Sequence, residues 1–290
     1  LNIYGGEFSG KGTGTGVYNY GTANVYGGKF ENLVMGIYNA GSLNLYALPV
    51  VGAGNNANST ADIGLAPGKV ITMSMVGSSL PENYEKMKVG QFTYAASSGY
   101  SAAGSAPYVV TSGYQANVKG IHPAQMFVAY DGDATDNVSY ELCLKGGSDA
   151  DAGEAQIAEV TGDAVTWTNP GGDGGGGDIN ILSLYYREWA DGAVIRLNRN
   201  VDLGDDYLDL KPDDTRTSFT LDLNGHLLTG SPGGNGIFNI YGMKVTICDS
   251  GTGGMMAVNR GNSNSAVSLD KGLLTITGGS FLLADRKSVV

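Results

Sequence analysis

Leu1-Asn-Ile-Tyr-Gly-Gly-Glu-Phe8 recurs 22 residues later as Ala23-Asn-Val-Tyr-Gly-Gly-Lys-Phe30, and its opening returns after a further 20 as Leu43-Asn-Leu-Tyr46. Near the other end the phrase is Leu274-Thr-Ile-Thr-Gly-Gly-Ser-Phe281. A second phrase keeps the same beat: Gly16-Val-Tyr-Asn-Tyr-Gly21, then Gly36-Ile-Tyr-Asn-Ala-Gly41, and more distantly Gly236-Ile-Phe-Asn-Ile-Tyr241. Self-similarity at a fixed period of about 20–50 residues marks stacked supersecondary units. Within each unit the aliphatics Leu1/Ile3, Ala23/Val25 and Leu43/Leu45 alternate with Asn2/Tyr4, Asn24/Tyr26 and Asn44/Tyr46. Period two puts the aliphatics on one face and the Asn and Tyr on the other. Gly5-Gly6 and Gly27-Gly28 then supply backbone freedom for a corner. Such a unit is too short for a strand and a full helix, but long enough for two or three short strands joined by turns. Stacking these coils makes parallel sheets whose edges are all paired except at the two ends.

The composition agrees. Glycine reaches 47 of 290 residues and charged residues only 16%, which suits a many-turned all-β chain and disfavours long surface helices. No run of 18 apolar residues occurs, so the sequence holds no membrane span. The net charge of −11 is concentrated. Residues 131–154 carry seven acids and one Lys, and residues 202–214 carry six acids and one Lys. With no basic stripe to neutralise phosphate, nucleic acid is excluded as a partner. Cys143 and Cys248 form neither a disulfide framework nor a metal-ligand spacing, and read as unbridged, partly buried thiols.

The period divides the chain. Residues 1–48 read as the last coils of a first β-helix, and residues 49–168, which lose the period, as a non-repeating β-rich module. Within that module Gly52–Ser59 reads as a loop, and Val70–Val76, Phe127–Tyr130 and Val138–Leu144 as strands. Asn169-Pro-Gly-Gly-Asp-Gly-Gly-Gly-Gly-Asp178 reads as a flexible linker and the main boundary. Residues 179–284 read as a capping helix and the first coils of a second β-helix. Asp178 is placed to N-cap, and Ile179, Leu182, Tyr186 and Trp189 fall on one helical face, with Gly192 beyond the last turn. The spacing predicts a helix over 179–190 that lids the open end of the coils. Asp285-Arg-Lys-Ser-Val-Val290 breaks the chemistry of the repeat and reads as translated sequencing-adapter DNA, so native sequence is expected to continue differently past about Ala284. Any signal peptide would precede Leu1.

Phe219-Thr-Leu-Asp-Leu-Asn-Gly-His-Leu-Leu-Thr-Gly230, Val245-Thr-Ile-Cys-Asp-Ser-Gly251 and Leu274–Phe281 together resemble the right-handed parallel β-helix surface proteins of bacteria, the pectin-lyase-like fold. The resemblance covers roughly residues 1–48 and 179–284. It implies an all-β chain of right-handed parallel β-helix segments flanking a non-repeating β-rich module, with one short capping helix. It further implies a secreted or cell-surface location and polysaccharide or cell-surface glycan as the partner.

Lyases and hydrolases of this fold use clustered Asp on one sheet face. Here the outward column is Asn2, Asn24, Asn44, Tyr4, Tyr26 and Tyr46, without a carboxylate, and Asp222 stands between Leu221 and Leu223 with no visible partner acid. Glycoside hydrolysis needs two. Neither His122 nor His226 has an evident nucleophile and orienting acid, so no catalytic residue is nominated. Asp131-Gly-Asp-Ala-Thr-Asp136 begins like an EF-hand loop, but position 6 is Asp136 and position 12 is Leu142, where Gly and Glu are required. Asp131, Asp133 and Asp136 leave room only for a weak, irregular calcium site, and no other cofactor is expected. The Tyr/Asn stripe, spaced about 4.8 Å per coil, offers ring and amide contacts of the kind sugars use. The same stripe is a ladder that stabilises the sheet through cross-strand pairs, and the ladder is the favoured reading of the tyrosines. Asn19 and Asn39, sharing parity with Val17 and Ile37, are expected to ladder inward. The sequence thus reads as a non-catalytic extracellular structural or adhesive protein that contacts glycans through the stripe. A polysaccharide-active lyase or hydrolase with its catalytic coils elsewhere is the alternative.

Overall fold

The computed structural model describes residues 1–51, 61–75, 80–81, 84–103, 106–130, 138–177, 189–231, 236–258 and 265–282, and the side chains of Val50 and Val51 are not described. The loop Gly52–Ser59, the predicted calcium residues Asp131, Asp133 and Asp136, the predicted helix over 179–188 and the tail 285–290 lie outside the described residues. The fold is all-β, and among the described residues the two helices, Tyr114–Asn117 and Pro123–Met126, are single turns. The fold is a parallel β-solenoid, built as two compact units, 1–160 and 161–290.

In the first unit one sheet runs Asn2–Ile3, Thr22–Val25, Ser42–Leu45, Ile71–Met73, Thr111–Ser112, all parallel. A second is Glu7–Ser9, Lys29–Glu31, Val50–Val51. A third runs Thr15–Asn19, Met35–Asn39, Ala61–Leu65, Met87–Ala95, with Phe127–Ala129 parallel to Met87–Val89. Each of the first three coils therefore contributes one strand to each wall before climbing. The repeated phrases are the first and third walls. In-register pairing stacks like on like: Val25 on Leu45 on Met73 inward, Asn24 on Asn44 on Thr72 outward. The inward column forms the core, with Val25, Phe30, Leu43, Leu45, Ile63 and Ile71 fully buried.

The stack does not stop at residue 48. Successive partners in the first wall are 22, 20, 28 and 40 residues apart, so the coils continue to residue 129 while their length grows. The period disappears from the sequence because extra residues enter at corners and in a hairpin, and lengthening a loop costs little closure entropy. The inward alternation survives where the letters do not: Ile71 and Met73 are buried with Thr72 between them. The unrepeated part ends in an antiparallel hairpin, Ser139–Leu144 against Ala155–Val160, with Tyr108–Val109 beside it. Leu142, Ala155 and Ile157 join the same core as the coils. Glu154 fastens the hairpin by accepting from Thr111 Oγ1 (3.0 Å), the Gly113 amide (2.7 Å) and the Tyr114 amide (3.0 Å). The hairpin thus covers the last coil, whose edge would otherwise be unpaired.

In the second unit the parallel walls are Ala193–Leu197, Ser218–Asp222, Lys244–Cys248, Leu273–Ile276; Val201–Asp202, Leu227–Gly230, Met255–Val258, Ser280–Leu282; and Leu208–Leu210, Phe238–Ile240, Val267–Leu269. The Gly-rich run is not a flexible linker. Gly174–Gly177 is a strand, antiparallel to Val165–Thr168, which is antiparallel in turn to Ala193–Leu197. An ideal Cβ on Gly175 would lie 2.4 Å from the Trp167 ring, and one on Gly176 2.2 Å from Asp163 Oδ2. The absence of a side chain at Gly175 leaves room for the indole against the strand. These glycines are packing residues rather than a hinge, and the break between units falls at 160/161 instead. Of the expected cap, Trp189 is buried and meets Phe219 edge-on at 5.4 Å.

Candidate functional site

The outward face of the first wall carries the predicted stripe, and the structure brings all six residues together. Asn24 Nδ2 donates to Asn2 Oδ1 and Asn44 Nδ2 to Asn24 Oδ1, each at 2.8 Å. Thr72 and Ser112 extend the column over the next two coils, Ser112 Oγ reaching Thr72 Oγ1 at 3.4 Å. The Tyr4 and Tyr26 rings stack at 4.8 Å and 17°, Tyr26 and Tyr46 at 4.5 Å and 10°. The rings are 73%, 38% and 42% exposed along the stack. Stacking at these spacings covers both faces of Tyr26, leaving edges and hydroxyls to solvent. Burial, with Tyr46 and Tyr4 alongside, raises the Tyr26 phenol above its usual range. Both ladders therefore bind coil to coil, each aromatic pair contributing about 0.5–1.5 kcal/mol beyond area burial.

The inward ladder also forms. Asn19 Nδ2 donates to Asn39 Oδ1 (2.7 Å) and to the Ser42 carbonyl (2.8 Å), while the Gly41 amide donates to Asn39 Oδ1 (3.3 Å). The next coil places Leu65 in this column, and Asn39 Nδ2 is left buried without a partner.

A second aromatic group lies on the outward face of the third wall. Tyr18 and Tyr38, register partners from the second repeated phrase, have ring centroids 4.8 Å apart and planes tilted by 49°. The strand Met87–Ala95 overruns its wall and turns back as Gly99–Ala102, setting Tyr94 opposite Tyr100. Tyr94 lies 5.0 Å from Tyr18, and Tyr100 5.2 Å from Tyr38. Beneath them Phe92, Tyr38 and Met35 make a small dry core. Sequence reasoning missed this group, although a signal existed: Tyr94-Ala-Ala-Ser-Ser-Gly-Tyr100 brackets a turn with two aromatics of matching parity. No periodicity reports which wall such a hairpin folds over.

Asp222, the acid between Leu221 and Leu223, is only 2% exposed. Oδ1 accepts the amides of Asn224 (3.0 Å) and Ser250 (2.8 Å). Oδ2 accepts Arg196 Nε (2.9 Å) and Ser250 Oγ (2.6 Å). Burial alone would raise its pKa, but these hydrogen bonds outweigh it and hold the carboxyl below the usual range. Asp249 accepts the amides of Gly225 (2.7 Å) and Gly254 (2.8 Å), and Asp191 those of Thr217 (2.6 Å) and Ser218 (2.7 Å). These carboxylates cap corners between coils.

No protein family, curated protein or solved structure matches the chain.

His122 caps the helix Pro123–Met126 through Nδ1, which accepts the Ala124 amide at 3.2 Å. Both cysteines are free, and burial pushes the Cys143 thiol up to about 11, far from a reactive thiolate. Among the described residues no group of three or more His, Cys, Asp or Glu is arranged to hold a metal ion. Among them, too, no helix is long and apolar enough to cross a membrane.

Proposed function

We propose that the chain is a non-catalytic structural and adhesive part of a secreted or cell-surface protein, its coils of the pectin-lyase-like kind, and that it contacts glycans through uncharged tyrosine and asparagine side chains. The observation that carries this reading is what the outward polar groups are bonded to. Asn2, Asn24 and Asn44 bond to one another, and the Asp222 carboxylate accepts four hydrogen bonds. A general acid or base needs a pKa near the working pH and a free lone pair or proton to exchange. Asp222 is held low and fully engaged. What remains available to a ligand is the tyrosine edges, their hydroxyls and the amide column. A solenoid with paired edges is also a stiff spacer, which suits a surface protein.

The test is affinity electrophoresis of the full chain through gels containing neutral or acidic polysaccharides, with reducing-end assays in parallel, with and without Ca²⁺. The reading expects retardation without new reducing ends. Robust turnover of any polysaccharide would replace it with the lyase or hydrolase alternative.

A further inference from the structure

We infer that the hairpin over the third wall of the first unit makes a second glycan site, a platform of Tyr18, Tyr20, Tyr94 and Tyr100 that takes neutral sugar residues by ring stacking. The inference rests on the glycan-contact reading but moves its principal site away from the stripe.

The first argument is construction. Met87–Gln91 is all the coil needs for its wall, since pairing with Ala61–Leu65 ends at Gln91. The continuation from Phe92 to Ala102 pairs only with itself and closes no coil. Its inner residues, Phe92 and the Tyr38 it covers, account for its adherence to the wall. They do not account for Tyr20 and Tyr94, which stay 72% and 43% exposed at the rim.

The second argument is ring geometry. In the stripe the rings lie within 10–17° of parallel and cover one another's faces. Here Tyr18 meets Tyr20 at 31°, Tyr38 at 49° and Tyr94 at 70°, and Tyr94 meets Tyr100 at 48°. Tyr18 and Tyr100 are nearer parallel at 25°, but their centroids are 6.4 Å apart, so these rings cover less of one another's faces than those of the stripe. A pyranose ring stacks its C–H face on such an aromatic face while its hydroxyls reach neighbouring polar groups.

The third argument is charge. The ring partners are tyrosines and Phe92, with Thr15 bonded to the Tyr100 hydroxyl; among the described residues no cation lies over these rings and no ion pair touches them. A chain of net charge −11 with no basic stripe repels uronate-rich polymers, so the fitting ligand is neutral.

The experiment compares the full chain with Tyr20→Ala/Tyr94→Ala and with Tyr4→Ala/Tyr26→Ala/Tyr46→Ala. Retardation is measured in gels containing a neutral β-glucan, a neutral mannan, polygalacturonate or polylysine. Circular dichroism and melting curves confirm that each variant is folded. The rim residues carry the smallest share of the dry core, so the double variant should fold. The inference expects retardation by at least one neutral polysaccharide, weakened at least tenfold in the double variant and less than threefold in the stripe variant. Neutral binding untouched by the double variant but lost in the stripe variant overturns the inference and leaves the glycan reading standing. No binding to either neutral polymer overturns the inference, and failure to bind polygalacturonate as well overturns the glycan reading with it. Retardation by polylysine that the double variant loses would assign the platform to cationic ligands and overturn the inference.

Discussion

Replacing Asp222 with Ala should destabilise the second unit by about 2–4 kcal/mol while leaving the first untouched. The change removes the acceptor of two backbone amides, Asn224 and Ser250, and of the Ser250 hydroxyl. A donor left unsatisfied costs about 1–3 kcal/mol when buried, and these are part-buried, which lowers each figure. The Arg196 bond adds little, because Arg196 is half exposed and such pairs contribute about 0–1 kcal/mol. Both tryptophans, Trp167 and Trp189, lie in the second unit, so tryptophan fluorescence during urea unfolding reports that unit alone. With a urea slope of about 1–3 kcal/mol per molar, the midpoint should fall by roughly 1–2 M. Asp222→Asn, which keeps the Oδ1 acceptor, should lose about half as much. An unchanged midpoint in Asp222→Ala would refute the idea that this carboxylate fastens neighbouring coils, and would reopen a role for it in chemistry.

Acid should act in the same direction. The carboxyls of Asp222, Asp191 and Asp213 are held below the usual range, Asp222 despite burial, Asp191 by the Thr217 and Ser218 amides, and Asp213 by Arg216. A depressed folded pKa contributes stability that is complete above the unfolded value of about 3.9 and is lost as pH falls through the folded value. The tryptophan-monitored midpoint should therefore hold above about pH 4 and drop as the pH falls further, less steeply in Asp222→Asn; a flat or rising midpoint contradicts the assignment. Gly175→Val should cost about 1–3 kcal/mol by forcing a side chain into the Trp167 ring, with a shift in the emission of native Trp167. Gly171→Ser, with only Asp173 Oδ1 at 3.7 Å, should be silent; equal effects would mean that the Gly-rich run is not packed.

The coil architecture is legible because one inward and one outward chemistry repeat together: Leu1/Ile3, Ala23/Val25 and Leu43/Leu45 against Asn and Tyr. In-register parallel pairing converts that repeat directly into ladders, so the stripe and the Asn19–Asn39 pair follow from the residue pattern alone. Ile71 and Thr111 continue the same wall but share no letters with Leu43, since a buried strand asks only for apolar bulk and alternation. That is why the repeat fades at residue 48 although the stack does not. The Gly-rich run misleads for a related reason. Missing side chains read as flexibility, whereas here the space they leave is filled by Trp167. Asp222 shows the limit for chemistry: parity places it outward, but only the adjoining turn, with Ser250, reveals that it is enclosed. The tyrosine platform depends on where a hairpin folds, a long-range fact that no local pattern encodes.

The continuity of the first coil stack across residue 48 is tested most directly by paired cysteines. In a background with Cys143 and Cys248 changed to Ser, Asn44→Cys/Thr72→Cys places two thiols on register partners of adjacent strands. Parallel neighbours lie about 4.8 Å apart, within the roughly 4.4–6.8 Å that a disulfide spans between Cα atoms. Asn24→Cys/Asn44→Cys is the matching pair inside the evident repeat. Mild oxidation should close an intramolecular disulfide in both, seen by peptide mass. Closure of the 24–44 pair without the 44–72 pair would contradict the account, ending the stack at the third coil.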